Sequence, residues 1–320
     1  MLTMTTSNDD TDQTLAMVFP GQGSQSVGML SGLAQTFPLV SATFQEASDT
    51  LGYDLWKLVM EGPEADLNRT DRTQPAMLAA GVAVWRIWRA QGGKLPALMA
   101  GHSLGEYTAL VCANALAFAD AIALVAERGR AMQEAVPAGS GAMAAILGLD
   151  DSVVVDVCAR ACEGQVVAAV NFNSPGQVVI AGDAEAVQRA MELAKASGAK
   201  RAVPLPVSVP SHCELMRPAA EQFAAQLLGT AIRTPAIPVI QNVDVTAHDA
   251  PHAIREALKQ QLYSPVQWVR SVEMMREAGI QRIIEAGPGK VLAGLCKRIH
   301  KELEVAAVYD PDSLNAALNA

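Results

Sequence analysis

No apolar run in the 320 residues reaches the roughly 20 uninterrupted positions that a membrane-spanning helix needs. Basic charge is also scarce. Lys and Arg number 24 against 33 Asp and Glu, giving a net charge of −9 and a pI of about 5.1. A nucleic-acid binder is usually basic, so that class is set aside. Residues Met1 to Gln13 are polar and acidic, with neither a basic start nor an apolar core, so they hold no secretory signal. A disordered tail over 1–13 is expected. Cysteines are few, odd in number and scattered: Cys112, Cys158, Cys162, Cys213 and Cys296. Cys158 and Cys162 share a helical spacing but have no further Cys or His at metal-site distance. Free thiols in a reducing cytoplasm are expected, without a disulfide framework or a metal. Repeats at solenoid period and low-complexity segments are absent.

What is present is apolar bulk. Half of the residues are hydrophobic, enough for a large core in one domain with an insertion or in two domains. Leu15 to Phe19 reads as a first strand running into Pro20-Gly21-Gln22-Gly23-Ser24-Gln25. The third glycine of a dinucleotide fingerprint falls on Ser26, and no G-K-[ST] follows, so a phosphate cradle is weakly supported. Glycines here let the backbone approach a ligand while Gln22 offers an amide.

The most informative stretch is Gly101-His102-Ser103-Leu104-Gly105. An apolar strand precedes it and a helical pattern follows it, the context a G-x-S-x-G nucleophile elbow requires. The sharp turn lifts Ser103 out of the backbone, and the first N–H groups of the next helix face the place where an oxyanion forms.

A second helix is expected after Asp120, read as its N-cap. Its apolar stripe runs Ala121, Leu124, Val125, Arg128, Met132, so a guanidinium sits on the face that is to be buried. An unpartnered buried cation is costly. Spacing leaves two readings open: a structural salt bridge to a core carboxylate, or a cation aimed into a pocket at an anionic ligand.

Strands at 142–149, 166–172, 177–181 and 202–207, with helices at 151–162 and 183–197, give the order β-α-β-β-α-β of a ferredoxin-like unit. It lies between two halves of a larger α/β unit whose strands alternate with helices, predicting a mostly parallel sheet covered on both faces. The expected boundaries are 14–136 and 209–320 for the large part and 137–208 for the insertion. Hinges are expected at 137–141 and 204–210.

A serine nucleophile needs a base. Of the five histidines, His102 adjoins Ser103 on a turn where neighbouring side chains diverge. His248 and His252 lie in a polar segment, 244–254, read as a surface loop. His300 lies on a charged helix face. His212, at the end of a Pro-bounded strand, is left by elimination. No acidic partner for it is evident. Glu214 is near in sequence but on the following helix turn, and a backbone or amide carbonyl can orient the ring instead.

Taken together, Phe19–Gln25, Gly101–Tyr107, Arg128–Met132, Asn171–Gln177, Val209–Cys213, Pro265–Trp268 and Glu285–Gly289 resemble the malonyl-CoA:acyl-carrier-protein transacylases of bacterial fatty-acid synthesis. The resemblance spans about Met17 to His300. It implies an α/β-hydrolase-like large subdomain with a ferredoxin-like insertion. It implies Ser103 as the acylated nucleophile, His212 as its base, and Arg128 as the partner of the malonyl carboxylate. It further implies the N–H groups of Gln22 and Leu104 as the oxyanion hole and the Gln267 carbonyl as the group orienting His212. Substrate and partner are then malonyl-CoA and acyl carrier protein. No cofactor, nucleic acid or membrane is involved, and a cytoplasmic monomer is expected. Lys200 and Arg201 are candidates for a basic patch facing the carrier. The alternatives are a trans-acting acyltransferase of a polyketide synthase, a serine hydrolase using water, and a non-catalytic acyl-binding subunit.

Overall fold

The computed structural model describes residues 10–137, 139–207 and 209–320. Nine strands form among them: β1 (Thr11–Phe19), β2 (Leu95–Gly101), β3 (Gly141–Leu147), β4 (Val167–Ser174), β5 (Gln177–Asp183), β6 (Arg201–Pro204), β7 (Val239–Ile240), β8 (Arg282–Ala286) and β9 (Glu304–Val308). They make two sheets. A five-stranded sheet has the order β7-β2-β1-β8-β9, with every pairing parallel. A four-stranded antiparallel sheet has the order β4-β5-β3-β6. The expected α/β class, with one parallel and one separate ferredoxin-like sheet, is what the chain adopts.

The parallel sheet is central because both of its faces are apolar. Along β1, Leu15, Met17 and Phe19 enter one core while Ala16 and Val18 enter another, the period of two that a strand imposes. The small sheet does the same. Val178 and Ile180 of β5 pack toward the helices Asp151–Ala161 and Ala184–Ala196. Val179 and Ala181 face the other way, into a second cluster with Met143, Val170 and Cys213. The small sheet is also tied through the backbone to the segment that precedes the helix Trp268–Glu277 of the large part. Phe172 N–H donates to Val266 O at 3.1 Å and Val266 N–H to Val170 O at 2.9 Å.

Several expectations are corrected. The polar tail ends earlier than composition suggested. Thr11 and Asp12 already pair with Leu95 and Pro96, and Asp10 meets Arg89. Strand pairing satisfies these polar residues as well as it would apolar ones. Residues 1–9 of that tail lie outside the described residues, as do Ala138 and Ser208 of the two hinges. Asp120 is not an N-cap; the helix Phe118–Glu134 starts two residues before it, with Ala117 as the cap. The loop expected over 244–254 gives way at Pro251 to a helix, Pro251–Gln261. Pro at the first helical position suits this start, because its missing N–H would have no partner there. β9 and the helix Pro311–Leu318 complete the large sheet's edge beyond the last expected element.

Candidate active site

The elbow forms where β2 ends and the helix Gly105–Cys112 begins. Ser103 takes φ 53°, the left-handed region that costs a side-chain-bearing residue about 1–3 kcal/mol. The turn is tight enough that a Cβ on Gly101 would stand 1.8 Å from the Gly105 carbonyl carbon. Only glycine fits there.

His212 comes from the segment before the helix Arg217–Gly229 and is 3% exposed. Its Nε2 lies 2.8 Å from Ser103 Oγ and its Nδ1 lies 2.6 Å from the Gln261 main-chain oxygen. A carbonyl can only accept, so Nδ1 carries the proton and Nε2 is free to take the one on Ser103. Burial, reinforced by the Arg128 cation, pushes the imidazole down to about 3. It is therefore a neutral base at physiological pH.

The group that orients His212 is thus Gln261 and not Gln267. The Gln267 oxygen instead accepts from the backbone N–H and Oγ of Ser271, inside the next helix. Gln261 ends the helix Pro251–Gln261, where last-turn carbonyls have no intrahelical donor. That free acceptor does the work an acid does in other serine enzymes.

Arg128 is 1% exposed on the helix Phe118–Glu134, on the predicted stripe with Ala121, Leu124, Val125 and Met132. Of its two open readings, the structure removes the salt bridge: among the described residues no carboxylate forms an ion pair with it. Its Nη1 donates to Gln74 Oε1 at 2.9 Å and its Nη2 to Gln261 Oε1 at 2.9 Å. Nη2 also reaches Ser103 Oγ at 3.3 Å, and the guanidinium lies 5.4 Å from the Tyr107 ring centroid. Burial lowers its pKa, opposed by Tyr107 and Glu106. Two neutral amides hold a cation whose charge is not directly cancelled. Such a site is ready for an anion.

Ser103, His212 and Arg128 share one cavity of about 200 Å³ with Gln22 and Leu104. It lies between the elbow and the inward face of the small sheet, represented by Met143 and Val179. A Cβ on Gly21 would meet His102 O at 2.4 Å, so the β1 loop rests directly on the elbow. Among the described residues, neither the Gln22 nor the Leu104 backbone N–H donates to a protein acceptor. His102 does not compete for the serine. Its Nε2 lies 2.8 Å from Asn173 Oδ1, across the seam between the sheets.

Sequence reasoning missed Gln74, Gln261, Asn242 and Glu106, which lie within or directly behind this site. Asn242 Oδ1 accepts from Ser103 N–H at 2.7 Å, and its own N–H donates to Glu106 Oε2 at 2.8 Å. Burial pushes Glu106 up to about 7, against the opposing Asn242 and Gln261 hydrogen bonds. A signal for Gln261 was available: Ile254, Ala257, Leu258 and Gln261 form a stripe with a polar residue at offset seven, the pattern that exposed Arg128.

A family model described as the acyl transferase domain matches residues 16–313. The malonyl CoA-acyl carrier protein transacylase of Salmonella typhimurium is 59% identical over 303 residues, covering 95% of this chain and 98% of that one. The enzyme of the same name from Bacillus subtilis is 46% identical over 95% of this chain and 96% of its own length. Among solved structures, an acyl carrier protein S-malonyltransferase from Vibrio cholerae superposes with a TM-score of 0.93 at 59% identity, covering 95% of this chain and 99% of that one. A malonyl-transacylase in complex with a type II polyketide-synthase acyl carrier protein gives 0.94 at 58% identity, with 95% and 99% covered. With an elbow serine, a buried base and an unpaired buried cation all lying inside the matched span, the chain belongs to the acyl transferase domain family.

Proposed function

We propose that this protein carries a malonyl group from malonyl-CoA to the phosphopantetheine thiol of an acyl carrier protein, by way of an ester on Ser103. The observation that carries the reading is one oxygen with two partners. Ser103 Oγ lies 2.8 Å from a neutral imidazole nitrogen and 3.3 Å from an uncancelled guanidinium. The first pairing activates a nucleophile. The second explains why the acyl group should end in a carboxylate.

In this mechanism the malonyl carboxylate lies against Arg128 and its thioester carbonyl lies over Ser103. His212 Nε2 takes the Oγ proton as the C–O bond forms. The resulting oxyanion rests on the N–H groups of Gln22 and Leu104. The C–S bond then breaks, and the proton on Nε2 passes to the CoA thiolate. The carrier thiol repeats the sequence in reverse, giving its proton to His212 and releasing Ser103. Bonds and protons balance without a cofactor. The cavity's apolar wall, Met143, Val179, Val207 and Val209, limits water while the ester waits. Relatives named as malonyl CoA-acyl carrier protein transacylases support the substrate pair.

A second carrier reading has its own support, because one structural relative is bound to a polyketide carrier. Transfer rates to fatty-acid and polyketide carriers separate the two. No helix among the described residues is long and apolar enough to cross a membrane. A cytoplasmic monomer remains our reading.

The deciding experiment is intact mass after mixing with malonyl-CoA. A malonyl adduct should form, disappear when holo carrier protein is added, and fail to form in Ser103→Ala. An adduct persisting in Ser103→Ala would place the nucleophile elsewhere.

A further inference from the structure

Behind the site lies a carboxylate that touches no reacting atom. Glu106 is the second residue of the helix that follows the elbow and is fully buried. Its Oε2 accepts twice, from Asn242 N–H at 2.8 Å and from Gln261 Nε2 at 3.0 Å. Both donor residues grip the Ser103 backbone. Asn242 Oδ1 accepts from Ser103 N–H at 2.7 Å while its Nδ2 donates to Gly101 O at 2.7 Å. Gln261 Nε2 donates its other hydrogen to Ser103 O at 3.0 Å.

We propose that Glu106 is a positioning residue: it anchors the main chain of Asn242 and the side-chain amide of Gln261, the two residues that clamp Ser103 from both sides, and by fixing the Gln261 amide it also aims Arg128.

Glu106 Oε2 already accepts from the Asn242 main-chain N–H, so it faces Gln261 as an acceptor and is met by the amide nitrogen. With Nε2 committed to Glu106 and Ser103 O, the amide oxygen must point the other way, to Arg128 Nη2 at 2.9 Å. Without the acceptor at Glu106 the amide loses one of the three hydrogen bonds that hold this orientation and is left to the two made with Ser103 O and Arg128 Nη2, so its aim loosens. Ser103 is in the left-handed region, a conformation that persists only where its surroundings over-determine it. Two hydrogen bonds anchored on one buried oxygen are such surroundings. The other carboxylate oxygen, Oε1, has no hydrogen-bond partner among the described residues, so a single accepting oxygen is the functional part.

This inference rests on the acyl-serine reading, and its test separates the two. The measurement is the single-turnover rate of Ser103 acylation by malonyl-CoA, followed by rapid quench and intact mass. The final fraction of enzyme acylated is read alongside it. The full-length wild type is compared with Glu106→Met, which keeps the volume but has no acceptor, and with Glu106→Gln, which keeps one accepting oxygen. Glu106→Met should acylate about 100-fold more slowly, the scale of an ångström-sized misplacement, yet reach full stoichiometry. Glu106→Gln should recover to within about five-fold of wild type. A merely structural role gives the opposite signature: an unchanged rate constant in a reduced fraction of folded enzyme. Glu106→Met within about three-fold of wild type, or Glu106→Gln as slow as Glu106→Met, overturns the proposal. Should Glu106→Met not fold, Asn242→Ala removes one arm with Glu106 in place. It should slow acylation by at least about ten-fold, and an unchanged rate overturns the proposal. A wild type that forms no adduct overturns the acyl-serine reading itself, and this inference with it.

Discussion

Arg128 Nη1 donates to Gln74 Oε1 at 2.9 Å, joining two helices whose residues are 54 apart in sequence. Gln74 forms no hydrogen bond to Ser103 or His212; its own amide nitrogen meets Met132 Sδ at 3.5 Å. Its hydrogen bond within the cavity is therefore the one to the cation. Replacing it with Leu should lower kcat/KM for malonyl-CoA by about ten-fold, the scale of one hydrogen bond to a charged group. Whatever turnover acetyl-CoA shows should change by less than about two-fold. Equal losses for both substrates would mean that Gln74 supports the fold of the cavity and not the aim of Arg128.

Arg128→Ala should cut malonyl kcat/KM by about 10²- to 10³-fold, since a desolvated carboxylate would lose its partner. Acetyl transfer should survive, so preference shifts toward uncharged acyl groups. Arg128→Lys should not rescue, because one ammonium cannot reproduce the planar fork that serves Gln74, Gln261 and the ligand together. Steady-state kinetics with both thioesters decides. An unchanged malonyl-to-acetyl ratio in Arg128→Ala would retire the carboxylate role.

His212 gives a pH dependence with a definite sign. Burial first, and the Arg128 cation second, bring the folded imidazole from 6.5 down to about 3. Unfolding frees it to take up a proton below about 6.5. Its contribution to stability is thus fully present above 6.5 and is lost as pH falls toward 3, by up to about 1.4 kcal/mol per pH unit. Denaturant titrations at pH 7.5, 6.5 and 5.5 should show wild type losing more stability on acidification than His212→Asn. Parallel losses in the two proteins would contradict a buried neutral base.

How much of this was legible follows from where each signal lives. The elbow is local chemistry, five residues with a strand before and a helix after, so Ser103 could be read directly. Arg128 was visible because one charged residue interrupts an apolar stripe, but what it meets could not be. Gln74 and Gln261 lie 54 and 133 residues away, and only the fold brings them to it. His212 emerged by elimination, and the atom that orients it was misplaced by six residues. Main-chain carbonyls leave no mark in sequence, and the helix ending at Gln261 was hidden by the polar run before Pro251. The β-α-β-β-α-β insertion was readable because its periods alternate cleanly. β9 was not, because Glu304 to Val308 is partly exposed at a sheet edge and lacks alternation.

The elbow's geometry makes a last prediction about stability. A methyl on Gly101 would be placed 1.8 Å from the Gly105 carbonyl carbon and 2.2 Å from Glu106 N. Both are backbone atoms of the helix that follows, so no side chain can swing aside to admit it. Gly101→Ala must move the helix off the strand, and Ser103 with it. It should lower the unfolding free energy by at least about 3 kcal/mol, beyond the range of most single substitutions. Gly294 supplies the contrast. It lies within the helix Val291–Ile299, and the nearest atom to a Cβ there is a terminal nitrogen of Arg298 at 3.8 Å. Gly294→Ala should be neutral or stabilising by about 0.5–1 kcal/mol, the helix-propensity gain. Thermal melts of the two variants beside wild type make the comparison, with the acyl adduct measured on whatever remains folded. If Gly101→Ala melted with wild type and still acylated, the close approach of β2 to the helix would not be what holds the serine in place.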